Sequence, residues 1–240
     1  TIVETDHTFE IGCMVTLRQL EQHPALNAWT NHAVADAVKD IVGVQFRNTA
    51  TVGGSIFGRY GFSDVLTVFL ALNAKVVCHH AGEISLEQYA QMPADRDILV
   101  KLVVDKQPMR VSYQAMRHAR TDFPIRTCAV SCGDGVWQAS VGARPHKATL
   151  VRDQEGLLCG GVDETSTARF GDYVARPLTF GSNMLVSAAY RRQICCVLVQ
   201  RALLAARDVC CHGIRIFLHP TADFPFGSSR QPSTCFCWLS

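Results

Sequence analysis

The chain has 240 residues, 48% hydrophobic and 18% charged, with a formal net charge of +2. That balance belongs to a globular protein with a sizeable core and argues against disorder. No run of Lys and Arg builds the basic face of a nucleic-acid binder, and no stretch reaches the ~18 uninterrupted apolar residues of a membrane span. Neither nucleic acid nor a membrane is therefore an expected partner.

The eleven cysteines are odd in number and lack framework spacing, which fits reduced thiols in a cytoplasmic protein and a core-filling role. The opening Thr1-Ile2-Val3-Glu4-Thr5-Asp6 has no initiator Met and neither the basic nor the apolar region of a signal peptide. It reads as a chain starting after processing or in the middle of a longer gene.

In chain order, Thr8 to Gly12 alternates as a strand does, and Thr16 is placed to cap a helix beginning at Leu17. Ala33 to Val42 sets Val34, Ala37, Val38 and Ile41 at helical spacing, with Gly43 as the stop. Residues 44–62 are rich in Gly, Thr, Asn and Ser and read as an irregular segment of functional length. Ser63-Asp64 then precede Val65 to Leu72, apolar nearly all round and so a buried helix. Asn73 closes it, and Lys75 to Cys78 is a strand.

Asp97 to Val104 is strand-like and Lys106-Gln107-Pro108 a break. Thr127 to Cys132 and Val136 to Val141, joined by Gly133-Asp134-Gly135, predict a hairpin, because Asp-Gly supplies the positive φ angles of a tight turn. Ser187 to Arg207 is a long helix. Phe217 to Ser240, with its Cys235-Phe236-Cys237-Trp238 run, lacks periodicity and reads as an irregular tail, disordered or foreign to the fold.

The chemistry concentrates in Gln45 to Ile56. The adjacent glycines of Thr51-Val52-Gly53-Gly54-Ser55 let backbone approach a bulky ligand and can point successive N–H groups into an anion-binding concavity, flanked by two hydroxyls. The alternative is a turn that needed flexible residues. Ser63-Asp64 can likewise cap the buried helix, contact a ligand, or do both. His79-His80 and the group Cys210-Cys211-His212, Cys235 and Cys237 match no zinc module, so no metal site is expected. No nucleophile elbow, P-loop or dinucleotide fingerprint is present, and no catalytic residue is named.

This segment resembles the second flavin motif of the FAD-binding subunits of the molybdenum hydroxylases, the xanthine dehydrogenase and carbon monoxide dehydrogenase group. That motif runs R-N-x-A-T-[IV]-G-G-N-I and is followed by a Ser-Asp pair. The match is Arg47-Asn48, Ala50-Thr51-Val52-Gly53-Gly54, Ile56 and Ser63-Asp64, with Ser55 in place of the family Asn. It continues through Leu70-Ala71-Leu72-Asn73-Ala74-Lys75-Val76-Val77, and upstream in Ile11-Gly12-Cys13. The resemblance implies FAD as cofactor, with Thr51, Gly53 and Gly54 holding the diphosphate, Val52 and Ser55 in the same binding run, and Asp64 on the adenosine part. Tyr113 to Asp122 resembles the family's F-x-K-x-x-x-R-x-x-x-D stretch. There Gln114 stands nearest the flavin-proximal Lys, so a charge is missing, and Leu99 stands where a relative's Leu packs near the flavin.

The implied fold is α+β: the second half of a PCMH-type FAD-binding domain over residues 1–105, then a small C-terminal subdomain over 106–207 with a three-stranded sheet and helices, and the tail 208–240. The implied function is xanthine dehydrogenase-like. Electrons pass from [2Fe–2S] clusters through FAD to NAD⁺ or another acceptor, in a complex with a molybdenum-cofactor subunit and a [2Fe–2S] subunit. The family's first motif, A-G-G-T-D-L, precedes its I-G-A strand, and nothing in residues 1–10 resembles it. The chain alone is accordingly expected to bind FAD poorly. Its rivals are a non-catalytic paralogue that keeps the fold and a free-standing flavin oxidase.

Overall fold

The computed structural model describes residues 1–93, 96–143, 146–184 and 186–208. The tail from Phe217 and the cysteine group beginning at Cys210 lie outside the described residues, as do Arg144 and Pro145. In chain order the first part holds β1 (Ile2–Glu4), β2 (Thr8–Gly12), α1 (Leu17–Gln22), α2 (Pro24–Trp29), α3 (Ala33–Val38), α4 (Val44–Arg47), α5 (Val52–Phe57) and α6 (Asp64–Ala71). There follow β3 (Lys75–Cys78), β4 (Gly82–Ser85), α7 (Leu86–Gln91) and β5 (Leu99–Asp105). The second part holds β6 (Met109–Met116), β7 (Arg126–Gly133), β8 (Val136–Gly142), β9 (Thr149–Arg152), α8 (Glu164–Ala175) and α9 (Ala188–Asp208). The fold is α+β, as the resemblance implied.

Two antiparallel sheets organise it, one ordered β1-β2-β5-β3-β4 and the other β6-β7-β8-β9. The second has four strands where the resemblance implied three. The added β9 is only Thr-Leu-Val-Arg, too short to carry a period of its own, and is defined by its pairing with β8. Gly133 and Val136 face each other across the β7–β8 turn, with Asp134 at φ 50° and Gly135 at φ 77°, so the Asp-Gly pair does what its chemistry predicts.

The second sheet is covered on both faces, which explains why β7 is buried along almost its whole length. One face packs on α8 and α9 through Cys128, Val130, Cys132, Ala139 and Val141. The other meets α6 and is more polar. Ser131 Oγ and Gln138 Nε2 both donate to the Ala71 carbonyl, at 2.6 and 2.9 Å, and the Thr67 and Thr127 hydroxyls are 2.9 Å apart. These bonds satisfy an orphan carbonyl at the end of α6 and fix that helix against the sheet. Arg191, at the start of α9, is 4% exposed and donates to the Ile125 and Ala143 carbonyls at 2.6 and 2.9 Å, tying the helix to the sheet.

Residues 44–62 are less irregular than their composition predicts, since they contain α4 and α5. Both helices are short, and neither offers enough turns for a periodic signal. Local chemistry stabilises them: the Thr51 hydroxyl caps α5 by accepting from Gly54 N at 3.1 Å. The same device recurs at Thr16, where a capping box with Gln19 starts α1.

Candidate functional site

The Thr51–Ser55 run is pinned to the connection between β2 and α1. Leu17 N donates to the Ala50 carbonyl at 2.9 Å, Val52 N to Val15 at 2.8 Å and Gly53 N to Cys13 at 2.8 Å. A Cβ on Gly53 would lie 2.7 Å from the Cys13 Cβ and 2.8 Å from its carbonyl oxygen. The close backbone approach that this glycine permits is therefore to Cys13. Gly54 differs: it is exposed, and an added Cβ would meet only the Thr51 hydroxyl, at 3.4 Å. The amides of Val52, Gly53 and Gly54 all end on protein acceptors, so they form a packed support and leave no open nest.

Above this support lies a groove of about 490 Å³. Thr51, Gly54 and Ser55 line one side and Asp64 and Val65 the floor; Phe46, Tyr60, Phe62 and Phe123 supply aromatic walls. Tyr60 and Phe62 stack with centroids 5.2 Å apart and planes 9° from parallel, and Phe123 meets Phe62 edge-on at 4.6 Å. All four rings are well exposed, Phe123 at 73%. Aromatic faces left open to solvent around a concave floor suit a flat ring system.

At the floor, Ser63 caps α6, its hydroxyl accepting from Leu66 N at 3.0 Å, and this sets Asp64 at the first helical position. Asp64 is 4% exposed, and its Oδ1 accepts from the Tyr113 hydroxyl and, at 2.6 Å, from Arg117 Nη2. Arg117 Nη1 also donates to the Asp122 carbonyl at 2.7 Å, so it joins the floor to the loop carrying Phe123. Burial pushes the Asp64 carboxyl above its ordinary range, and the bonds from Arg117 and Tyr113 pull it back only in part. Burial likewise holds the Tyr113 hydroxyl well above the usual phenol range, with the Asp64 charge acting in the same direction.

Of the residues marked by sequence, the groove brings together Thr51, Gly54, Ser55 and Asp64. Val52 and Gly53 lie buried beneath them, and Leu99, 5% exposed, belongs to the core beneath the first sheet. Gln114 lines a neighbouring polar groove with Asp36, Lys39, Asp40 and Arg120. Arg47 of the motif is structural: 5% exposed, it pairs with Glu21 at 2.9 Å and donates to the Ile41 carbonyl at 3.2 Å. Sequence reasoning missed Tyr113 and Arg117 as the partners of Asp64. Their stretch resembles a family segment, but no signal in the sequence pairs it with Asp64.

The fold is shared with solved oxidoreductases. It superposes with a TM-score of 0.77 on quinoline 2-oxidoreductase from Pseudomonas putida 86, at 18% identity over 87% of this chain and 78% of that one. It superposes at 0.76 on carbon monoxide dehydrogenase from Oligotropha carboxidovorans (18% identity, 87% and 78% covered), and at 0.73 on the Hydrogenophaga pseudoflava enzyme (22%, 86% and 77%). In sequence, residues 1–106 match the family described as the FAD binding domain in molybdopterin dehydrogenase. FAD is the cofactor of that family. A protein of Escherichia coli strain K12, uncharacterized protein YgfM, is 28% identical over 192 residues, spanning 79% of this chain and 69% of its own. No helix among the described residues is long and apolar enough to cross a membrane.

Proposed function

We propose that the chain serves as the flavin subunit of a cytoplasmic molybdenum hydroxylase and that the groove over Thr51, Gly54, Ser55 and Asp64 receives part of the FAD. One observation carries this reading. Four residues of the motif, dispersed over fourteen positions of the segment that matches the FAD-binding family, meet at one aromatic-walled groove. The residues fit the cofactor: a flat ring finds aromatic faces, Gly54 presents no side chain, and the hydroxyls and the carboxylate offer partners to polar edges. When bound, FAD supplies the redox chemistry between the [2Fe–2S] clusters of a partner subunit and NAD⁺ or another acceptor, downstream of a molybdenum-cofactor subunit. The chain's own part is to seat the cofactor and exclude water from it. Gln114 and Leu99 lie outside this groove.

The three bonded amides bear on affinity. A diphosphate gains most from charge-assisted bonds to free N–H groups, and those of Val52, Gly53 and Gly54 are already taken. Titrating the full chain into FAD, followed by quenching of flavin fluorescence, is expected to give saturable but weak binding, with no flavin retained through purification. Unchanged fluorescence at any protein concentration would remove the flavin reading. Tightly retained, stoichiometric flavin would contradict the weak-binding part alone.

The same bonded amides favour a second reading, a non-catalytic chain that keeps the fold and assembles without cofactor. Co-purification separates the two: the flavin subunit brings molybdenum and iron–sulfur partners together with FAD, and the non-catalytic chain brings partners without flavin. A free-standing flavin oxidase would bring FAD and no partner.

A further inference from the structure

Asp64 is nearly solvent-free and carries two strong donors, and both end on the same oxygen. Oδ2 takes no bond from another residue among the described residues, while Asp64 itself lines the groove. Tyr113 is 6% exposed in β6, and its hydroxyl makes no other bond among the described residues. The Arg117 side chain, 9% exposed, makes two bonds, one to Asp64 and one to the Asp122 carbonyl. A buried carboxylate held this way cannot rotate freely, and the arrangement gives it one oxygen held by two side chains and one that no other described residue holds.

We infer that Tyr113 and Arg117 are positioning residues for the proposed flavin site: they clamp Oδ1 of Asp64 and present Oδ2 to the groove as its acceptor for an N–H or O–H of the bound nucleotide. The inference rests on the flavin reading for the identity of the ligand and on the hydrogen bonds for the clamp itself. The acceptor must also be anionic to work, because a protonated carboxyl loses charge-assisted bonding. Burial opposes ionisation here, and the two donors offset it only in part. Other charged groups nearby have partners of their own. Arg120 pairs with Asp40 at 2.7 Å, and the Asp122 carboxylate accepts from Ala119 N at 3.1 Å. Behind Tyr113 the Cys128 thiol is held protonated by burial, and across the groove stands the Tyr60 phenol.

The sign follows from these groups. A carboxyl whose pKa in the fold lies above its ordinary value keeps its proton to higher pH, so flavin binding weakens as pH falls through that value. Removing a donor raises the value further and moves the loss to higher pH.

The test is a ¹³C-carboxyl titration of Asp64 by NMR in the full chain, paired with FAD binding as a function of pH. Tyr113→Phe, which keeps ring packing, is expected to raise the Asp64 midpoint by about one pH unit, the worth of a bond to a charged acceptor. Arg117→Gln is expected to raise it by roughly one to three units. Arg117→Lys, which keeps the charge, restores most of the shift. The pH at which FAD binding is half lost moves with the midpoint in each variant. Unchanged midpoints in Tyr113→Phe and Arg117→Gln overturn the clamp. Shifted midpoints with FAD binding that ignores them overturn Oδ2 as the ligand acceptor. If the midpoints shift and no FAD binds at any pH, the clamp stands and the flavin reading falls.

Discussion

Gly53→Ala is expected to destabilise the chain by about 3 kcal/mol, whereas Gly54→Ala, one residue further on, leaves stability within roughly 0.5 kcal/mol. At Gly53 the new methyl would lie 2.7 Å from the Cys13 Cβ and 2.8 Å from its carbonyl oxygen. Backbone cannot step aside as a flexible side chain can, so α5 must move away from the β2–α1 connection. That movement lengthens the bonds from Gly53 N to Cys13 and from Val52 N to Val15, each now 2.8 Å. At Gly54 the methyl makes ordinary contact with the Thr51 hydroxyl and projects on the groove side. Its cost falls on the ligand, and FAD affinity should drop while the midpoint of urea unfolding holds. The reverse pattern, a stable Gly53→Ala and an unfolded Gly54→Ala, would show that the two glycines have been assigned each other's roles.

Asp64→Ala should cost about 3 kcal/mol or more, because it leaves the Arg117 guanidinium and the Tyr113 hydroxyl facing each other without their shared acceptor. The pair itself adds little net stability, since burying both charges costs much of what their attraction returns. Its half-removal is what destabilises. Joint replacement of Asp64 by Leu and Arg117 by Met, which removes both charges, should recover a good part of the loss in a chemical-denaturation series. FAD binding should be lost in both variants. If the double replacement is as unstable as Asp64→Ala, packing and not charge governs the site's contribution.

What the sequence disclosed and what it withheld divide along physical lines. Elements with a strong period or a stereochemical requirement were legible: the Asp134-Gly135 turn, the apolar helix from Val65 and the Thr16 cap follow from local chemistry alone. The short helices α4 and α5 and strand β9 were not, because four to six residues carry no period and their stability comes from contacts elsewhere in the chain. At the site, the resemblance to the flavin motif marked Thr51, Gly54, Ser55 and Asp64, which the fold brings to one groove. It could not tell which glycine faces the groove, since both lack a side chain and only their neighbours differ. Nor could it reveal that β6 and the residue just after it deliver Tyr113 and Arg117 to a carboxylate 49 and 53 residues earlier. Such a meeting depends on how the second sheet sits on α6. The aromatic walls were equally hidden, because Phe46 of α4, Tyr60 and Phe62 of the loop before α6, and Phe123 beyond β6 come together only in the fold.

The most direct test of the site is a crystal structure of the full chain grown with excess FAD. Flavin-nucleotide density should lie in the groove, in contact with Gly54 and against the faces of Tyr60, Phe62 or Phe123, with a polar edge within hydrogen-bonding distance of Asp64. Density seated elsewhere on the chain, with this groove filled only by ordered water, contradicts the assignment.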